Sequence, residues 1–269
     1  PDPKNGTEEI ITSSVSQAWP VPDAGLGAYT YALEILTGVI GSQRRWRTMP
    51  WLVLLFGVMI VPLGVVSIFF IIIQPIWIGT WCTLCLIAAA SMLVQIPYSL
   101  DELVATTQFL WRRRKAGRPL LRVLMVGDTD EGQSAPEPDA FARAPGPVLR
   151  DMWTGGVNLP WNLAMAMAIG AWLMCSRLTL DAQGFIADAH HLIGSLVVTA
   201  SVIACAEAAR TLRFGVSLLG LALMAAGYSK ADPGLQLAAT LACGAALVWL
   251  GLPRGKVSAR YGAWNRYIL

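Results

Sequence analysis

Cys82 and Cys85 stand two residues apart in the run Trp81-Cys-Thr-Leu-Cys85, at the head of an apolar segment. On the first turn of a helix that spacing brings both sulfurs within reach of one disulfide. The helix N-terminus favours a thiolate on the first of them, so Cys82 is the more reactive member and Cys85 the one that closes the ring. Two other readings compete with redox chemistry. The pair also matches half of a zinc site, although no second Cys or His pair lies near it in sequence. It matches equally two small side chains packed in an apolar core. The chain holds five Cys and two His, too few for a disulfide scaffold, which confines redox or metal chemistry to one small cluster; no metal site is expected.

His190 and His191 follow Asp188 about two turns inside another apolar segment. An ionisable side chain at membrane depth is a functional candidate. Imidazole there can ligate haem or a metal, or bond a quinone carbonyl. The plainer reading gives one His an interhelical bond and the other a headgroup contact. Trp77 and Trp81 flank the turn before Cys82, where they wall a ligand pocket or anchor the helices at the headgroup layer. Trp77, Trp81, His190 and His191 are therefore the candidate cofactor-binding residues, and Cys82 and Cys85 the candidate catalytic ones. Glu34, deep in the first apolar segment, is expected to bond a neighbouring helix. Pro62 is expected to kink the second segment.

The elements that carry these residues are membrane helices. The chain is 55% hydrophobic and 14% charged with a mean hydropathy of +0.54, whereas a soluble domain carries about 25% charged residues. A soluble protein or a nucleic-acid-binding one is excluded on that ground. A bilayer span takes about 20 apolar residues. Segments that qualify or nearly qualify run over Asp23–Gly41, Pro50–Gln74, Trp81–Pro97, Pro160–Arg177, Phe185–Ala208, Phe214–Tyr228 and Leu235–Leu252. None alternates as a barrel strand must. The expected fold is an all-α integral membrane protein with about seven transmembrane helices in two bundles, plus an amphipathic interfacial helix. With seven spans, 17 of the 20 basic residues fall on one side. That bias makes this side cytoplasmic and puts Cys82 and Cys85 outside, where disulfides persist.

Composition divides the chain further. Residues 1–22 form an external N-terminal segment, and because the chain opens on Pro1 rather than Met, a segment upstream is expected. Residues 23–97 make the first bundle, 98–116 an amphipathic helix on the cytoplasmic face or, in the plainer reading, a continuation of the third span into the cytoplasm, and 117–158 a polar cytoplasmic linker. Residues 159–252 repeat at an offset of 50: Gly170-Ala-Trp-Leu-Met174 aligns with Gly220-Leu-Ala-Leu-Met224, Gly184 with Gly234 and Gly194 with Gly244. Each unit is a helix pair whose small residues suit close packing. Residues 253–269 are a cytoplasmic tail.

The stretch Trp19-Pro-Val-Pro-Asp-Ala-Gly-Leu-Gly-Ala-Tyr29, the hairpin after it and the Cys82–Cys85 pair resemble the vitamin K epoxide reductase family over about residues 12–97. The resemblance implies a helical bundle of a bacterial inner membrane or the endoplasmic reticulum that passes electrons between protein thiols and a quinone. It implies a ubiquinone- or menaquinone-type cofactor, with Cys85 nearest to it, and a thioredoxin-like external partner. The family relay also uses a second, external Cys pair. Residues 1–20 contain no Cys, and Thr12, Ser13, Ser14 and Ser16 stand where its last member is expected. Trp161-Asn162 and Gly170-Ala-Trp172-Leu173 resemble the SPW-repeat family of bacterial membrane proteins, which adds to the expectation of a bacterial inner-membrane location. The reading that follows is a quinone-linked thiol–disulfide oxidoreductase in contact with membrane lipids; its alternative is a scaffold or accessory subunit of a larger membrane complex.

Overall fold

A computed structural model describes residues 5–14, 16–17, 23–40, 44–128, 146, 156–232, 234–257 and 264. Most of the expected linker (129–145 and 147–155), residues 18–22 at the head of the resembling stretch, and much of the tail lie outside the described residues. The helices are α1 (Gly6–Ile11), α2 (Asp23–Val39), α3 (Arg45–Thr48), α4 (Pro50–Ile73), α5 (Thr83–Lys115), α6 (Leu120–Val126), α7 (Trp161–Met174), α8 (Gly184–Cys205), α9 (Arg213–Lys230) and α10 (Leu235–Leu250). Among the described residues there is no sheet, and one isolated bridge joins Val157 to Ala206.

Each expected apolar segment contains a helix, and the chain is a multi-pass membrane protein. Among the described residues, four helices are long and apolar enough to cross a bilayer: Pro50–Ile78, Thr83–Lys115, Gly184–Cys205 and Glu207–Lys230. The others are shorter. At 1.5 Å per residue, the 14 residues of α7 and 16 of α10 reach about 21 and 24 Å, short of a hydrocarbon core about 30 Å thick.

Local chemistry sets the ends. Pro50 starts α4, where its missing N–H costs nothing, and the helix continues unbroken through Pro62. The last turn of α5 carries Arg112, Arg113, Arg114 and Lys115 against the negative end of the helix dipole. α5 runs as one helix from the third expected span through residues 98–115, the course the alternative reading of that segment expected. Its second half is held by side chains of its neighbours. Glu102 takes two bonds from Arg45, at 2.5 and 2.6 Å; Trp46 packs edge-on to fully buried Phe109 at 5.7 Å; and Arg113 pairs with Asp128 at 2.6 Å. The ends of the expected linker are likewise built into the fold. Residues 120–126 form α6, with Val123 buried, and Asn158 donates to Glu207 at 2.5 Å.

The second bundle is a ring in which α7, α8, α9 and α10 each pack on the next and α10 returns to α7. Its core joins residues 50 apart, Ala166 with Val216, Leu173 with Leu223 and Val197 with Leu247. The first bundle packs α4 between α2 and α5, around Phe56, Ile60, Met92 and Ile96. α8 lies against both α4 and α5 and so joins the two bundles.

Candidate functional site

α4 ends in a single π-helical turn, Gln74–Ile78, and Gly79 closes it in the left-handed region at φ 80°. Glycine reaches that conformation without a Cβ penalty. The reversal delivers Cys82 to the N-cap of α5, with extended dihedrals. There the Cys82 sulfur accepts the backbone N–H of Cys85 at 3.2 Å, doing the work Ser or Asp usually does at a helix start. The two Sγ atoms lie 2.6 Å apart, so the turn holds both sulfurs in direct contact. Cys82 is 1% exposed and Cys85 half-buried; Cys85 is the sulfur within reach of a partner.

Gln74 holds the turn from beneath. Its Oε1 accepts the Cys82 backbone N–H at 3.2 Å, while its Nε2, fully buried, has no acceptor. This residue was missed in the sequence. The available signal was a lone carboxamide at the end of an otherwise apolar 24-residue helix.

The second bundle supplies the opposite wall. The His191 ring packs edge-on against the Trp81 indole, with centroids 5.0 Å apart, and His191 Nε2 lies 3.1 Å from the Ile71 carbonyl. This contact brings Trp81 and His191 together beside Cys82. His190 faces elsewhere: its Nε2 lies 3.0 Å from Thr240 Oγ1, so it bridges α8 to α10 at the position its repeat partner occupies. Trp77 is 80% exposed and is not part of this wall. Among the described residues no group of three His, Cys, Asp or Glu could hold a metal.

α1 lies against the start of α5. A Cβ at Gly6 would lie 2.2 Å from the Trp81 carbonyl oxygen, so α1 passes close over the backbone leading into Cys82. Of the other cysteines, Cys175 is exposed at the end of α7; Cys205 is buried and Cys243 half-buried. Glu34 is 2% exposed and both its carboxyl oxygens lack a hydrogen-bond partner, which departs from the expected interhelical bond.

Residues 3–100 match the model of the vitamin K epoxide reductase family. That domain takes in α1 to α4 and the first part of α5, including Cys82 and Cys85, and begins further upstream than the resemblance in the sequence. His190, His191 and the whole second bundle lie outside it, and nothing here supports the SPW-repeat resemblance of that half. No curated protein and no solved structure matches the chain.

Proposed function

We propose that the domain over residues 3–100 is a dithiol–quinone redox module of a bacterial inner membrane, with Cys82 and Cys85 as its thiols. The observation that carries the reading is the sulfur pair at the head of α5, its two Sγ atoms 2.6 Å apart. The buried Gln74 Nε2 without an acceptor fits a quinone of the ubiquinone or menaquinone type, because a quinone carbonyl is the acceptor that this donor lacks. The Trp81 face and His191 beside it offer an aromatic wall.

In that reading the half-buried Cys85 sulfur, the more accessible of the two, meets the acceptor and Cys82 closes the ring. The two S–H bonds break, one S–S bond forms, and two electrons and two protons pass to the quinone, which leaves as hydroquinone. Gln74 holds the Cys82 backbone and orients the turn. His191, through its bond to the Ile71 carbonyl, keeps Trp81 against the site. Reduction of the disulfide then draws on an external thiol donor of thioredoxin type.

A second reading is a scaffold or accessory subunit of a larger membrane complex, and it accounts for more of the chain. More than half of the described residues lie outside that domain, most of these in a group of helices whose core is aliphatic. A shared fold does not by itself confer activity.

One experiment separates them. The purified, pre-reduced protein is mixed with a soluble quinone and hydroquinone formation is followed spectrophotometrically. A redox module reduces quinone; Cys85→Ala abolishes transfer, and Cys82→Ala leaves a thiol that cannot complete the disulfide. Equal rates in the parent and the double variant would overturn the redox reading in favour of the scaffold.

A further inference from the structure

At the end of the second bundle away from the Cys pair, the chain buries arginines without matching acceptors. Arg213 opens α9 and is 6% exposed, yet its Nε and Nη1 are buried with no hydrogen-bond partner. Its guanidinium lies over the Phe214 ring, 4.2 Å from the centroid, which fixes its plane without neutralising it. The charge that bears on it is a like one, Arg254, whose Nε is also buried without an acceptor. Arg210, fully buried, stands alongside and donates to Asn158 and to the Cys205 carbonyl.

The chain after α10 brings these groups together. A Cβ at Gly251 would lie 2.6 Å from the Arg213 carbonyl oxygen, and one at Gly255, φ 73°, would lie 3.8 Å from Arg210 Nη1. Residues 251–257 therefore run across the start of α9 with Arg254 between two close approaches. Glu207, in the turn that leads into α9, already receives Asn158. A buried guanidinium with open donors is costly unless an anion meets it.

The depth of the site points to the source of that anion. Trp161 and Trp249 meet at a tilt at the same end, with centroids 5.6 Å apart, and both are more than half exposed. Exposed Trp pairs at helix ends mark the headgroup layer. We propose that Arg213 and Arg254, with Arg210 behind them, form a binding site for the phosphate of an anionic phospholipid headgroup. Guanidinium forks suit phosphate oxygens geometrically, and basic pockets between helix ends are where such headgroups bind.

The test uses the full chain purified in a neutral detergent. Native mass spectrometry after addition of phosphatidylglycerol should show a retained lipid, and phosphatidylcholine should be retained about tenfold less. Arg213→Gln and Arg254→Gln should each lower phosphatidylglycerol retention several-fold, and Arg122→Gln, at an exposed position on α6, should leave it unchanged. Inorganic phosphate provides the second arm. If phosphate alone raises the Tm by about 3 °C or more and the arginine variants lose that shift, the site holds and its ligand is a free oxyanion instead of a lipid. Should Arg213→Gln fail to fold, Arg254→Gln, on the partly exposed tail, reads the same site. Equal phosphatidylglycerol retention by the parent and Arg254→Gln, with no phosphate effect, would overturn the proposal.

Discussion

His191 links α8 to the turn that leads into Cys82, through Trp81 and the Ile71 carbonyl, and its two contacts can be separated from those of its neighbour. Replacing it by Leu leaves the Ile71 carbonyl buried without its donor, which costs about 1–3 kcal/mol, and also removes the edge-on contact with Trp81. His190→Leu should cost less, because Thr240 Oγ1 keeps its bond to the Gln236 carbonyl at 2.7 Å. The expected result is a larger fall in detergent Tm for His191→Leu than for His190→Leu, and equal falls would show that the Ile71 bond contributes little. Both histidines were legible in the sequence as embedded ionisable groups. What sequence could not supply was which one meets Trp81, since that depends on the rotation of α8 against a helix 120 residues earlier. Gln74 was illegible for a related reason: its role depends on a π-helical turn that no periodicity announces.

At the level of elements, the repeat at 50 residues is a pair of equivalent helix crossings. A Cβ at Gly170 would lie 2.7 Å from the Gly194 carbonyl oxygen, and one at Gly220 would lie 2.6 Å from the Gly244 carbonyl oxygen. In both units backbone meets backbone, and neither side can yield as a flexible side chain does. Gly220→Ala should therefore destabilise by about 1–3 kcal/mol through overpacking. Gly215, on the same helix, has nothing within 4 Å of its would-be Cβ, and Ala there should be neutral or slightly stabilising by helix propensity. Thermal unfolding in detergent distinguishes them, and a Gly220→Ala protein as stable as the parent would mean that the crossing relaxes freely. These glycines aligned in the sequence because each unit needs the same close approach. The continuity of α5 was legible only as the alternative reading, because Pro97 and the turn to a polar pattern look like a boundary. The clamps that carry the helix past it, Arg45 on Glu102 and Trp46 on Phe109, come from a segment more than 50 residues away.

For the whole molecule, the alternation of helices sorts the charges by end. The end with Arg45, Arg113, Arg210, Arg213 and Arg254 is the one where α5 and α8 finish and α9 begins. The other end carries Cys82, Cys85, Cys175, Arg177 and Lys230. Arg177 there is paired with Asp188, which weakens even the small positive charge on that side. Basic residues in short connections are retained on the cytoplasmic side, so the thiol end should face outward. Cys175 reports on it directly because it is exposed, whereas Cys82 is 1% exposed and a poor target. Leu252 is 57% exposed just after α10, at the basic end. In intact, pre-reduced cells a membrane-impermeant maleimide should modify Cys175. In a Cys175→Ala background, a cysteine introduced by Leu252→Cys should react only after permeabilisation. The measurement also bears on the chemistry, since an outward-facing dithiol is open to an external thiol partner and an inward-facing one would have to be reduced from the cytoplasm. Labelling of the Leu252→Cys protein in sealed cells, with Cys175 protected in the parent, would invert the molecule and move the phosphate site to the outer leaflet.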